Sequence, residues 1–136
     1  MGTPCIYYGD EFGMDGENDP GCRKCMEWDP EKQDHDLFSF YRKLIEIRSN
    51  HPALRSGSFT FLEAGRDGSK LAFERSLGDE VIIILMNTEE TAQTFRLDVE
   101  ERNWTDLFTG DSLHAERGKL SLKLPAYGYT AIKAIL

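Results

Sequence analysis

The segment Leu120-Ser121-Leu122-Lys123-Leu124 carries an apolar side chain at every second position. Successive side chains of a β-strand point to opposite faces, so this alternation predicts a strand with one buried face and one face in water. Short apolar segments of similar length recur on both sides of it. We predict eight strands, at residues 59–62, 70–77, 80–87, 91–97, 104–108, 113–116, 120–124 and 127–135.

Turn sequences rich in Gly and Asp separate these strands. They are Arg66-Asp67-Gly68-Ser69, Gly78-Asp79, Thr109-Gly110-Asp111 and Arg117-Gly118. Many short strands joined by such turns favour an antiparallel β-sandwich or barrel. Residues 55–136 are therefore predicted to form an antiparallel β-domain, with its boundary near Arg55 to Ser58.

The residues before this domain follow a different pattern. The continuous apolar run Cys5-Ile6-Tyr7-Tyr8 predicts a strand buried on both faces, as in a parallel sheet covered by helices. Residues 9–33, rich in Gly, Asp, Glu and Pro, follow it as a loop of unusual length. Long loops in compact proteins are often functional, so we expect this one to carry a binding role.

An amphipathic helix is predicted after the loop, because apolar residues recur at helical spacing. These residues are Leu37, Phe40, Tyr41, Leu44 and Ile45. Asp34 or Asp36 can cap its first turn, and Asn50-His51-Pro52 ends it, since proline disfavours helical backbone in the preceding residue. A parallel strand needs sister strands, and this chain supplies none. We expect residues 1–54 to be a segment of something larger.

Composition excludes several classes of function. The 136 residues include 24 acids and 16 bases, giving a formal net charge of −8. This sign disfavours nucleic acid and anionic membrane surfaces as partners. Three cysteines and no signal peptide indicate free thiols in a reducing compartment, so we expect a cytoplasmic protein.

Several motifs carry a resemblance to a known family. The run GTPCIYYGDE, residues 2–11, resembles the last barrel strand of the α-amylase superfamily, and residues 12–30 resemble the loop after it. Leu44 to Leu54 is similar to the closing barrel helix. The segments 104–110 and 124–129 resemble the β-sandwich domain that follows that barrel. These motifs are most similar to those of the neopullulanase, cyclomaltodextrinase and maltogenic amylase subgroup.

The resemblance implies a mainly β chain: an antiparallel β-sandwich, 55–136, preceded by the last strand, loop and helix of a (β/α)₈ barrel, 1–54. It also implies a parent enzyme that hydrolyses or transfers α-glucosidic bonds in pullulan, cyclodextrins or maltooligosaccharides with retention. The catalytic carboxylates of the family sit on earlier barrel strands. We therefore expect no catalytic residue, metal or cofactor in this chain, and no activity of the isolated chain.

Asp19 and Arg23 match a pair that binds a glucose unit in this family. The chemistry suits the role, because a carboxylate accepts from vicinal sugar hydroxyls and a guanidinium donates from a rigid fork. The alternative is a surface ion pair that only steadies the loop. With the resemblance, we predict that these two residues contact an α-glucan.

Other interpretations stay open at this stage. Cys22-x-x-Cys25 lacks further zinc ligands and is interpreted as coincidental. The aromatic residues Phe59, Phe61, Phe73 and Trp104 are predicted to be core. A different class of function is a stand-alone β-sandwich that binds polysaccharide or forms an interface. Residues 1–54, without sister strands, are expected to drive homodimerisation or domain swapping.

Overall fold

The computed structural model describes residues 2–64 and 68–135. Two helices precede eight strands along the chain. The elements are α1 (His35–Asn50), α2 (Pro52–Ser56), β1 (Ser58–Ala64), β2 (Lys70–Leu77), β3 (Glu80–Asn87), β4 (Gln93–Asp98), β5 (Asn103–Asp106), β6 (Ser112–His114), β7 (Lys119–Leu124) and β8 (Tyr129–Ala134). The chain forms two compact units, Met1–Glu46 and Ile47–Leu136.

The strand predicted at Cys5–Tyr8 is wrong. The backbone there has no regular structure, and Tyr7 and Tyr8 are 63% and 43% exposed. Among the described residues no strand pairs with this run. A strand is defined by hydrogen bonds to a neighbour, so an apolar run alone does not form one. Single 3₁₀ turns at Asp10–Phe12 and Pro30–Lys32 are the regular elements before α1.

Helix α1 begins and ends where the sequence predicts. The Asp34 Oδ1 accepts a hydrogen bond from the Leu37 backbone N–H at 2.8 Å, which satisfies one of the orphan donors of the first turn. The helix ends at Asn50, and Pro52 begins α2 after His51. The predicted cap and the predicted proline stop are thus both confirmed.

The predicted antiparallel β-sandwich is confirmed. One sheet has six strands in the order β1-β2-β3-β8-β5-β6, and the other pairs β4 with β7. All pairings are antiparallel, for example Ile84 opposite Ala131 and Phe95 opposite Leu122. Strand β8, the last in the chain, lies between β3 and β5. The turn predicted at 66–69 lies partly outside the described residues.

The core lies between the two sheets. Strands β2, β3, β4, β5, β7 and β8 contribute buried residues to it, because the pleat turns every second side chain inward. Trp104, Phe95, Ile83, Leu85 and Ile132 are its largest fully buried side chains. The core position predicted for Trp104 is confirmed.

The outer face of the six-stranded sheet carries a second apolar group. Ala53 of α2 packs there against Ile82 and Ala131. The core position predicted for Phe61 is wrong, since 63% of this residue is exposed. Its strand partner Phe73 follows Ala72, which is buried in the main core, so alternation turns both phenylalanines to the outer face.

Glu80 connects helix α2 to the sheet. Its Oε2 accepts from the Ala53 backbone N–H at 2.8 Å, and its Oε1 lies 2.8 Å from His51 Nδ1 and 3.2 Å from Lys133 Nζ. Desolvation acts to raise the pKa of Glu80. The bonds from Ala53, His51 and Lys133 together outweigh it and hold this pKa below the ordinary 4.5.

We expect Glu80→Gln to lower the free energy of unfolding by about 2 kcal/mol at pH 7, because a charged acceptor becomes neutral. The folded-state pKa is the lower one, so the stability from this group is complete above pH 4.5 and is lost as pH falls through the folded-state pKa. Urea unfolding at neutral and acid pH should show the difference between variant and unchanged protein shrinking at acid pH. The exposed Glu90→Gln serves as control. An equal difference at both pH values would contradict the assignment.

Candidate functional site

The predicted substrate loop follows a folded path. The Gly21 N–H donates to the Asn18 carbonyl at 2.7 Å, and the Arg23 N–H donates to the Pro20 carbonyl at 2.9 Å. The peptide bond between Asp19 and Pro20 is cis. Two consecutive turns therefore bring the chain from Asn18 round to Arg23.

These turns bring Asp19 and Arg23 together. The Arg23 Nη2 lies 2.7 Å from the Asp19 Oδ2, and the two side chains are 73% and 61% exposed respectively. An exposed ion pair contributes little to stability, at most about 1 kcal/mol. Both side chains keep unused donors and acceptors toward solvent, so the pair can bind neighbouring hydroxyl groups of a ligand.

A second ion pair closes the loop. The Lys24 Nζ lies 2.7 Å from the Asp15 Oδ1. The hydrogen bond from Lys24 lowers the pKa of Asp15, and the same bond raises the pKa of Lys24. A cavity of about 150 Å³ lies beside this pair and is also lined by Tyr8 and Met14.

Tyr8 directly precedes the loop, and its side chain contacts the loop backbone on either side of Arg23. Its hydroxyl lies 3.1 Å from the carbonyl oxygen of Cys22 and 3.1 Å from that of Lys24. Partial desolvation, followed by the ionisable groups of Tyr7, Cys22 and Cys25, raises the pKa of Tyr8 above 10.0. The phenol therefore stays protonated at neutral pH and can donate to either carbonyl.

Sequence reasoning missed two features of this region. Tyr8 had been assigned to a buried strand, whereas its hydroxyl meets the loop. Trp28 is 80% exposed and lies within residues 12–30, for which the sequence predicts a loop without a separate role for this side chain. The signal for Trp28 is its position between two acids, Glu27 and Asp29, which is unusual for a core tryptophan. The sequence carries no comparable signal for the contacts of Tyr8.

The described residues offer little for other kinds of site. Within residues 2–64 and 68–135, no group of three or more His, Cys, Asp or Glu side chains is placed to hold a metal ion. Cys22 and Cys25 are both exposed. No helix in the same ranges is long and apolar enough to cross a membrane.

Comparison with known proteins finds one matching family and several similar proteins. Residues 59–130 match the family described as Maltogenic Amylase, C-terminal domain. A cyclomaltodextrinase of Geobacillus thermopakistaniensis is 42% identical over 94% of this chain and 22% of its own length. A cyclomaltodextrinase of a Bacillus species is 52% identical over 71% of this chain and 17% of its own length.

A solved cyclomaltodextrinase structure superposes with a TM-score of 0.81 and 47% identity, over 98% of this chain and 23% of that chain. The chain therefore spans about a fifth of the length of the relatives it matches.

Proposed function

The chain belongs to the maltogenic amylase C-terminal domain family, and we propose from this that it forms the end of an α-glucan-active glycoside hydrolase of the α-amylase superfamily. The parent enzyme would hydrolyse or transfer α-glucosidic bonds in pullulan, cyclodextrins or maltooligosaccharides. The names of the relatives, cyclomaltodextrinase and neopullulanase 2 among them, support this class of substrate.

We propose different roles for the two parts of the chain, neither of them catalytic. No residue of this chain is proposed as catalytic, and the isolated chain is expected to be inactive. Residues 1–54 are proposed as the last part of a (β/α)₈ barrel, whose active site is built from the loops after its strands. The β-sandwich, 55–136, is proposed as a stabilising domain of the same enzyme.

Asp19 and Arg23 are proposed to bind a glucose unit of the substrate. The observation that carries this proposal is their 2.7 Å pairing with both side chains largely exposed. A carboxylate that already accepts from a guanidinium retains lone pairs for sugar hydroxyls, and the guanidinium retains donors. Because each holds the other in place, less side-chain freedom is lost when a sugar binds.

Titration of the 136-residue chain with maltotriose, followed by NMR chemical shifts, tests this proposal. Arg23→Ala is expected to weaken binding about tenfold, because it removes hydrogen bonds from a charged donor. Arg23→Lys should recover only part of the loss, since an ammonium group lacks the planar fork.

Two control variants make the result specific. Lys43→Ala removes the cation of another exposed pair, Lys43–Glu46 at 3.5 Å, and should leave maltotriose binding unchanged. Phe61→Ala addresses the alternative function, since Phe61 is exposed on the sandwich with Phe59 at a ring distance of 4.7 Å. Binding that depends on Phe61 and not on Arg23 would replace the proposed site by a carbohydrate-binding sandwich.

Two further parts of the proposal concern assembly and location. The exposed apolar side chains Ile6, Tyr7 and Tyr8 support homodimerisation or domain swapping through the first segment. Two relatives from Bacillus subtilis are named intracellular maltogenic amylases, which supports a cytoplasmic location.

A further inference from the structure

We propose that Tyr8 is a positioning residue for Arg23: its hydroxyl holds the backbone around Arg23 so that the guanidinium stays directed at a bound sugar. This inference rests on the proposed role of Arg23 in sugar binding. It adds a residue that lies outside the loop motif and that does not itself contact the ligand.

The contacts of Tyr8 fall on both sides of Arg23. Its hydroxyl oxygen lies 3.1 Å from the carbonyl oxygen of Cys22, the preceding residue, and 3.1 Å from that of Lys24, the following one. A hydroxyl carries one proton, so it donates to one of these carbonyls at a time or shares the proton between them. Either way the backbone on both sides of Arg23 contacts the same hydroxyl group.

The peptide unit before Arg23 is held at both of its polar atoms. Tyr8 holds its oxygen, and the Pro20 carbonyl accepts from its N–H, the backbone N–H of Arg23, at 2.9 Å. With this unit fixed, the direction in which the Arg23 side chain leaves the backbone has little freedom. Fixing the backbone of a residue costs conformational entropy. We call the contacts of the Tyr8 hydroxyl with the carbonyls of Cys22 and Lys24 the clamp. Because the clamp restricts the backbone before a sugar binds, less conformational entropy is lost on binding.

The clamp requires a protonated phenol. Both partners are carbonyl oxygens, which only accept, so Tyr8 must donate. The raised pKa of Tyr8 is consistent with this requirement across the neutral range. Tyr8→Phe keeps the ring and removes only the donor. Tyr7→Phe is the matched control, because the structure shows no hydrogen bond of the Tyr7 hydroxyl within the described residues.

Limited trypsin digestion of the full chain tests the clamp without any sugar. Trypsin cleaves after Arg and Lys, so the bonds after Arg23 and Lys24 report opening of this backbone. When opening is fast relative to cleavage, nicking follows the population of the open form. Tyr8→Phe should be cleaved at these bonds about fivefold faster, because the variant lacks one neutral hydrogen bond that keeps the loop closed. Tyr7→Phe should match the unchanged protein. Equal rates for Tyr8→Phe and the unchanged protein overturn the clamp.

A double-mutant cycle with maltotriose tests whether Tyr8 acts through Arg23. Tyr8→Phe alone should weaken binding about fivefold and Arg23→Ala about tenfold. The double variant should bind maltotriose as tightly as Arg23→Ala does, because without the guanidinium the clamp no longer affects binding. A merely structural role of Tyr8 would not produce this non-additivity.

The remaining outcomes separate the two proposals. Independent effects, about fiftyfold in the double variant, or unchanged affinity of Tyr8→Phe would overturn the positioning role. If the unchanged protein binds no maltotriose, the proposed function fails and the sugar-directed role of Tyr8 fails with it. Faster nicking of Tyr8→Phe would then still establish the clamp.

Discussion

Trp104→Ala is expected to lower the free energy of unfolding by about 4 kcal/mol, in the range found for large aromatic residues removed from cores. Trp104 is 2% exposed and packs in the core between the two sheets. The remaining wall residues belong to hydrogen-bonded strands, which cannot collapse far into the cavity. Urea unfolding followed by far-ultraviolet circular dichroism measures the loss.

Trp104→Phe separates packing from polarity at the same position. The indole Nε1 of Trp104 is buried, and the described part of the chain offers it no hydrogen-bond partner. Such an orphan donor costs about 1–3 kcal/mol, which phenylalanine would recover while losing part of the indole volume. We therefore expect Trp104→Phe to cost about 1 kcal/mol or less. A loss as large as that of the alanine variant would contradict the orphan N–H.

Asn87→Leu is expected to cost about 3 kcal/mol, for a polar reason instead of a packing one. Asn87 is 3% exposed. Its Nδ2 donates to the carbonyls of Thr91 at 2.9 Å and Pro125 at 2.6 Å, and its Oδ1 accepts from the Glu89 N–H at 3.0 Å. Leucine has a similar volume but removes all three bonds: the Thr91 carbonyl and the Glu89 N–H lose their Asn87 partner, and the Pro125 carbonyl keeps only the bond from the Gly128 N–H. The same urea experiment measures the loss.

Asn87→Asp is the matched variant. It preserves the shape and the acceptor for Glu89, but directs a carboxylate oxygen at the carbonyls of Thr91 and Pro125. At pH 7 it should destabilise at least as much as leucine, and the loss should decrease at acid pH, where a protonated carboxyl can donate once. A neutral effect of both variants would show that these hydrogen bonds do not stabilise the sandwich.

Both residues bear on the proposed function through the sandwich. Asn87 joins the end of β3 to the loop before β8, since its backbone N–H also donates to the Gly128 carbonyl at 2.8 Å. Trp104 joins β5 to the two-stranded sheet through the shared core. Variants that unfold the sandwich would expose its apolar faces. The maltotriose experiments are therefore best interpreted with variants of the loop, which lie outside this core.

The local part of the fold could be predicted because its signals are local. The alternation at Lys119–Leu124 and the apolar stripe of α1 are properties of consecutive residues, and the cap at Asp34 acts within one turn. The ion pair of Asp19 with Arg23, the alternative interpretation to a sugar contact, is also local, since the two residues lie four positions apart. Their contact with a sugar stays a prediction.

The failures occurred where the outcome depends on distant residues. Cys5–Tyr8 carries an apolar run typical of a strand, but a strand forms only with a partner. Phe61 is apolar and lies in a strand, but it lies opposite Phe73, whose neighbour Ala72 points into the core, so Phe61 lies on the outer face. Aromatic character alone does not specify which face of a sheet is covered.

The sequence by itself determined the eight strands of the β-domain and helix α1 with its cap, together with the family motifs. Each of these depends on backbone preferences within a few residues. Only the tertiary structure decided that β8 lies between β3 and β5. It also decided that the hydroxyl of Tyr8 meets carbonyls 14 and 16 residues further along the chain. Such contacts depend on the path of the intervening loop, and that path is set by the sum of many weak interactions that no local pattern records.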